Sequence, residues 1–142
     1  MSQTVEDALK AAKLYTDNQV YRMIKLPARG VVAAAGVLAE INEPFGAVIL
    51  DKDEVTLVLA DEALSDFARR LYGHTASAST YRLITFDVEL EPTLTGFMAR
   101  VAATLAQAGV TILPFGAYSR DHLLVPSEQF DKAWAALKAI TG

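Results

Sequence analysis

Two parts of this chain carry the same pattern at one constant offset, and that echo constrains the fold more than any single motif. Leu57-Val58-Leu59, then Asp61, then Leu64, Phe67, Ala68 and Leu71 match Leu123-Leu124-Val125, then Ser127, then Phe130, Ala133, Trp134 and Leu137. Upstream, Tyr21-Arg22-Met23-Ile24 is echoed by Tyr81-Arg82-Leu83-Ile84, and Phe45-Gly46-Ala47 by Phe115-Gly116-Ala117. Self-similarity of this kind marks duplicated supersecondary units.

The second copy is the easier one to read. Ile84, Phe86, Val88 and Leu90 alternate with Thr85, Asp87 and Glu89, so Tyr81 to Leu90 is predicted as a half-buried strand. Phe97, Met98, Val101, Leu105 and Ala108 form an apolar stripe at helical spacing that stops at Gly109. Val110 to Phe115 and His122 to Val125 read as two further strands. A last helix, with Ser127 as its expected cap, carries Phe130 to Ile140.

In the first copy, Val20 to Leu26 reads as a strand stopped by Pro27, and Arg29 to Ile41 as a helix weakened by Gly30 and Gly36. Gly46 to Leu50 and Val55 to Leu59 flank a polar turn as a hairpin requires, and Asp61 is the expected cap of the helix that ends at Gly73. Ahead of both copies, Thr4 and Asp7 open a short amphipathic helix with Val5, Ala8, Leu9 and Ala12 on one face. The expected organisation is an N-terminal helix over residues 1–19, a first half over 20–73, a linker over 74–80 and a second half over 81–142.

Each half is then a β-α-β-β-α unit of the ferredoxin-like kind, in the α+β class, with an antiparallel sheet covered by helices on one face. Such a unit leaves a sheet face or edge to be covered, either by the other half in a monomer with internal pseudosymmetry or by a second copy, and a homodimer is the expected solution.

Composition narrows the function. The chain has 142 residues, 52% of them hydrophobic, enough for one sizeable core or two small ones packed together. A net charge of -4 without a basic block argues against nucleic acid as a partner. The absence of cysteine excludes disulfides and thiolate catalysis and fits a cytoplasmic protein. The longest apolar run, Gly30 to Ala39, is about half of a membrane span, and the N-terminus does not read as a secretory signal. No hydrolase, metalloprotease, dinucleotide or phosphate-loop motif is present, and the two histidines, His74 and His122, are not spaced as metal ligands. No enzyme activity, cofactor or metal is expected.

Thr93-Leu94-Thr95-Gly96-Phe97 leads from a strand into the amino end of a helix, where unpaired N–H groups and the helix dipole favour an anion. Gly96 leaves room for a carboxylate, and the hydroxyl of Thr93 or Thr95 is available to bond it. The same loop also has a purely structural reading, in which Thr95 caps the helix and Gly96 allows close packing. Asp121 is a candidate partner for a ligand ammonium or guanidinium, or else a turn residue. His122 is a candidate ligand contact or an ordinary hydrogen-bonded residue, and Tyr118 and Ser119 could supply a stacking face and a hydroxyl on the rim.

Leu94-Thr95-Gly96-Phe97-Met98-Ala99-Arg100-Val101, followed by Leu105-Ala106-Gln107-Ala108-Gly109-Val110-Thr111, resembles the first helix and second strand of ACT domains. Phe115 to Pro126 is similar to the hairpin of small bacterial ACT proteins related to the ACT domains of aspartate kinase and of eukaryotic arginine sensors. The resemblance covers Tyr81 to Ile140 strongly and Val20 to Leu71 faintly. It implies a regulatory fold that pairs side by side with another ACT unit and binds a small molecule, an amino acid by class, at the shared edge. An adaptor that binds and regulates another protein is the second function consistent with it. Many amino-acid-binding ACT domains carry an acid shortly before the loop glycine, whereas here Leu94 and Thr95 precede Gly96 and the acid lies at Glu91. In the first half, Lys25 to Gly30 offers one loop glycine with two basic residues, Lys25 and Arg29, nearby, and reads as structural.

Overall fold

A computed structural model describes residues 2–142. The chain forms two compact units, one from the residues up to Asn18 together with Tyr81–Gly142, the other from Gln19–Thr80.

In the Gln19–Thr80 unit, strand β2 (Tyr21–Pro27) passes through a 3-10 turn at Ala28–Gly30 into helix α2 (Val31–Ile41). The hairpin β3 (Ala47–Leu50) and β4 (Glu54–Ala60) follows, then helix α3 (Asp61–Phe67) and the two-residue strand β5 (Thr75–Ala76). The strands lie in the order β3-β4-β2-β5, all pairs antiparallel. Ile24, Leu26, Val55, Leu57 and Leu59 cluster with Ala34, Val37 and Leu71, which is the burial that holds a sheet under helices.

The other unit opens with helix α1 (Val5–Ala11) and strand β1 (Lys13–Tyr15). It continues with β6 (Tyr81–Asp87), α4 (Phe97–Gln107), the hairpin β7 (Leu113–Gly116) and β8 (Asp121–Pro126), and α5 (Phe130–Lys138). Its strand order is β7-β8-β6-β1, again antiparallel. Ile84, Phe86, Leu123 and Val125 are covered by Phe97, Val101 and Leu105 of α4, Ala133 and Leu137 of α5, and Ala8 and Leu9 of α1. Phe86 and Phe97 meet edge to face with centroids 5.4 Å apart.

The repeat is visible in the strand register. Ile24 lies opposite Leu57 as Ile84 lies opposite Leu123, and Met23 opposite Val58 as Leu83 opposite Leu124. Ala47 opposite Val58 repeats as Leu113 opposite Leu124. Helices α2 and α4 have the same length and stand at the same offset as the hairpins, so the extra residues of the second copy all fall in its strand-to-helix loop, residues 88–96. The fold is therefore the expected ferredoxin-like α+β arrangement of β-α-β-β-α units.

Several local expectations are corrected. The strand expected over Tyr81 to Leu90 ends at Asp87, because the hairpin partner turns away beyond Asp121 and nothing continues the ladder; Val88 and Leu90 bond instead to the carbonyls of Phe86 and Ser119. It is not half-buried either: Thr85 is 6% exposed and Leu83 and Leu124 are buried on the side away from Ile84 and Phe86, so the face expected to be bare is covered.

Asp61 is the first residue of α3 and no side chain caps that helix; its carboxylate accepts from Arg22 at 2.9 Å. Ser127 likewise begins a 3-10 turn ahead of α5 and is not the cap residue of the helix. The segment 74–80, expected as a linker, contributes β5, and Ser77 is stitched to β2 through the backbone of Met23. The Thr4 capping box is present as expected.

Leu123 is fully buried at the centre of its unit and Val32 is 80% exposed. Leu123→Ala is expected to cost about 2–5 kcal/mol and Val32→Ala no more than about 0.5 kcal/mol, read as shifts in the denaturant midpoint.

Candidate functional site

The second copy's extra loop leaves β6 at Asp87 and enters α4 at Gly96, which is the cap residue at φ 97° and ψ 0°. That left-handed conformation is strained for any residue with a Cβ, so glycine is needed here for its backbone freedom. A Cβ at Gly96 would find only Val5 Cγ2, at 3.6 Å, so the approach is open. No side chain caps α4, and Arg100 N–H is the one that reaches back to the Gly96 carbonyl, at 3.1 Å. The amides of Phe97, Met98 and Ala99 precede that first bond and have no partner within the helix by construction. The capping role expected for Thr95 is thus corrected: its hydroxyl bonds the Thr93 carbonyl at 3.5 Å.

Three ties hold the loop in place. Leu94 N–H bonds the Glu91 carbonyl within the loop at 3.0 Å, and Leu90 N–H bonds the Ser119 carbonyl of the β7–β8 turn at 2.7 Å. Gln3, from the segment ahead of α1, pairs reciprocally with Glu91: each backbone N–H donates to the other's side-chain oxygen at 3.0 Å. The β7–β8 turn is closed by Ala117 N–H to the Arg120 carbonyl at 3.0 Å, and the Arg120 guanidinium is ion-paired with Asp87 at 2.7 Å.

Loop, turn and helix end enclose a cleft of about 340 Å³. Six of the nine residues expected at the site line it together: Leu94, Gly96, Phe97, Tyr118, Ser119 and Asp121. Phe97 presents little more than its backbone there, since its ring is in the core at 4% exposure. Tyr118 is fully exposed on the rim.

Thr93, Thr95 and His122 stand outside the cleft lining. His122 lies opposite Thr85 in the ladder, and its Nδ1 is 2.8 Å from the Thr85 hydroxyl. Glu91, Met98, Ala117 and Arg120 also line the cleft, although the sequence did not select them. Arg120 was legible only as a neighbour of Asp121, because its position depends on the turn between the strands.

Burial and charge act on two neighbouring groups. Burial raises the Asp121 carboxyl above its usual 3.8, an effect partly offset by His122. Burial lowers His122 below its usual 6.5, the positive charge of Arg120 lowers it further, and Asp121 opposes both. With the ring neutral and protonated at Nε2, the Thr85 hydroxyl donates to Nδ1. Among the described residues no group of three or more His, Asp or Glu side chains is placed to hold a metal ion, and no helix is long and apolar enough to cross a membrane.

The first copy has no comparable loop. Its strand passes into α2 through three residues, and a Cβ at Gly30 would press on Leu26 Cβ at 3.2 Å.

Residues 77–139 match the ACT domain family. Among solved structures, a Vibrio cholerae protein of unknown function, described as a possible transport protein, is 23% identical and superposes with a TM-score of 0.74 over 98% of this chain and 97% of that one. The ligand-free regulatory subunit of aspartate kinase from Thermus thermophilus is 16% identical, with a TM-score of 0.67 over 94% of this chain and 99% of that one. Aspartate kinase from Clostridium acetobutylicum is 13% identical with a TM-score of 0.71; 89% of this chain is covered but only 33% of the kinase. At these identities the likeness is one of fold. No curated protein sequence matches the chain.

The two shifted groups give stability opposite pH dependences. A lowered His122 means that the unfolded chain takes up its proton first, so stability is held above pH 6.5 and lost as pH falls below it. A raised Asp121 contributes stability that is present below pH 3.8 and lost as pH rises through its folded value. The melting temperature is expected to drop between neutral pH and pH 5, and His122→Gln to flatten that drop. Asp121→Asn should raise the melting temperature at neutral pH. A His122→Gln profile identical to that of the parent would show that another group controls the acid limb.

Proposed function

We propose that the chain, whose residues 77–139 match the ACT domain family, is a non-catalytic regulatory protein that binds a free amino acid in the cleft at the amino end of α4. ACT domains bind amino acids in regulatory roles, and the aspartate kinase structures that share this fold are an allosteric enzyme and a regulatory subunit.

One juxtaposition carries the reading. The first-turn amides of α4 behind Gly96 and the carboxyl of Asp121 border a single cleft. An α-amino acid is an anion and a cation held a few ångströms apart. Its carboxylate suits the helix end, where N–H groups and dipole both favour negative charge, and its ammonium suits Asp121. Leu94 and Met98 supply the apolar wall for a side chain, Tyr118 and Ser119 the rim. Thr93, Thr95 and His122, which do not line the cleft, act in this reading by shaping the loop and the strand that carry it.

The biological unit in this reading is a cytoplasmic homodimer that acts on a protein partner. Support for self-association lies in β3, which among the described residues pairs only with β4 and whose Ile49 and Leu50 are 44% and 57% exposed. The equivalent edge strand of the second copy, β7, carries Pro114, which removes a donor and blunts the edge.

Thermal melting with each common L-amino acid at millimolar concentration tests the binding, since a ligand of the folded state alone raises the midpoint by mass action. One or a few amino acids are expected to do so. Gly96→Val should abolish the shift, and Asp121→Asn should weaken the affinity about tenfold or more, the loss of a charge-assisted bond. No shift with any amino acid would remove the ligand reading and leave the adaptor. Light scattering is expected to give the mass of a dimer, reduced to that of a monomer by Leu50→Glu.

A further inference from the structure

We propose that Gln3 is a positioning residue for the cleft, a strap that holds the loop wall at residues 89–91 in its binding conformation and orients the Glu91 carboxylate. The inference rests on the reading of the cleft as an amino-acid site and adds to it the residue that sets the site's geometry.

One side chain and one backbone amide of Gln3 make three bonds to the loop. Gln3 N–H donates to Glu91 Oε2, Glu91 N–H donates to Gln3 Oε1, and Gln3 Nε2 donates to the Glu89 carbonyl, each at 3.0 Å. The loop's own bonds are few, with the Leu94 to Glu91 turn at 3.0 Å and the long Thr95 to Thr93 contact. Its conformation therefore depends on residues far away in sequence.

Gln3 is also firmly mounted. The next residue, Thr4, is fixed by the capping box of α1, and α1 is anchored through Ala8 and Leu9 in the core. A further contact runs from the same segment to α4, where Glu6 is ion-paired with Arg100 at 2.8 Å, and Val5 Cγ2 is the atom that a Cβ on Gly96 would meet. The strap thus ties the loop wall and the helix end, the two sides that an amino acid would have to bridge.

It also acts on charge. Glu91 lines the cleft, and while Gln3 N–H holds Oε2 the carboxylate is directed toward the strap. The Gln3 side chain keeps residues 89–91 where this bond can form. Once its bonds to the Glu91 N–H and the Glu89 carbonyl are lost and the loop opens, the backbone N–H of residue 3 loses its hold on Oε2, and the carboxylate becomes a mobile negative charge in the cleft that opposes a ligand carboxylate.

Gln3→Ala in the full chain is the test, read first by hydrogen exchange without added amino acid. Exchange in residues 88–96 is expected to rise about tenfold while α5 is unchanged, as for a local opening. The common L-amino acid that shifts the parent's melting temperature should then bind about tenfold more weakly. Glu91→Ala, which removes only the bond from the Gln3 backbone N–H, should loosen the loop less than Gln3→Ala, and Glu91→Gln, which keeps an acceptor oxygen for that amide, should stay near the parent. Unchanged loop exchange overturns the assignment, and so does faster exchange with unaltered affinity. If no amino acid binds the parent, the ligand reading fails separately, and exchange alone decides whether Gln3 holds the loop.

Discussion

In strands β6 and β8, Ile84 lies opposite Leu123 and Thr85 opposite His122. A slip of one residue would turn Ile84 and Phe86 away from α4 and α5 and bring Leu83 and Thr85 to the helix side, because side chains alternate across a strand. The apolar layer of Ile84, Phe86, Leu123 and Val125 under Phe97, Val101 and Leu105 excludes that slip. The same register fixes where the ladder runs out. Once β8 begins at Asp121, the chain beyond Asp87 has no partner there, so it must leave the sheet, and it leaves beside the hairpin turn that carries Tyr118 and Ser119. The cleft is where the hydrophobic register ends.

The two copies meet this constraint differently. Their registers agree pair by pair, and their helices α2 and α4 are equally long, so the core has been kept. The divergence is confined to the step from strand to helix. Three residues suffice in the first copy, and there Gly30 sits against Leu26. In the second copy residues 88–96 lift the chain away before Gly96 turns it into α4. Length added to a surface loop costs little chain entropy for each added residue, so such a loop can grow without disturbing the sheet.

Legibility in the sequence followed the range of the interactions involved. The alternation and helical stripe of the second copy, and the echo between the halves, come from side chains sorted by burial, and they predicted the two helices and three longer strands of each copy in the right order, while the short strands β1 and β5 were missed. Gly96, Tyr118, Ser119 and Asp121, which line one cleft, stood out in the sequence because helix ends and hairpin turns leave local marks. What failed depended on contacts between distant residues. Asp61 has the side chain of a cap but bonds Arg22 across the sheet. Thr85 alternates as a surface residue would, yet it is buried against His122. The pairing of Gln3 with Glu91 has no local signature whatever.

The charges around the cleft follow from the same long-range contacts. Arg120, the nearest base, is ion-paired with Asp87, and Glu91 is held by the Gln3 amide. Asp121 is left in partial burial, which pushes its carboxyl up, with the lowered His122 as its opposing influence. A buried carboxyl of this kind is stabilised in its charged form by an approaching cation, since the cation restores part of what desolvation removed. Binding of an ammonium at Asp121 would lower its proton affinity and, by its own positive charge, lower that of His122 as well. In the amino-acid reading proposed above, ligand occupancy and the protonation of this strand end would then be coupled in both directions, and the acid limb of stability and the pH dependence of binding would share one origin.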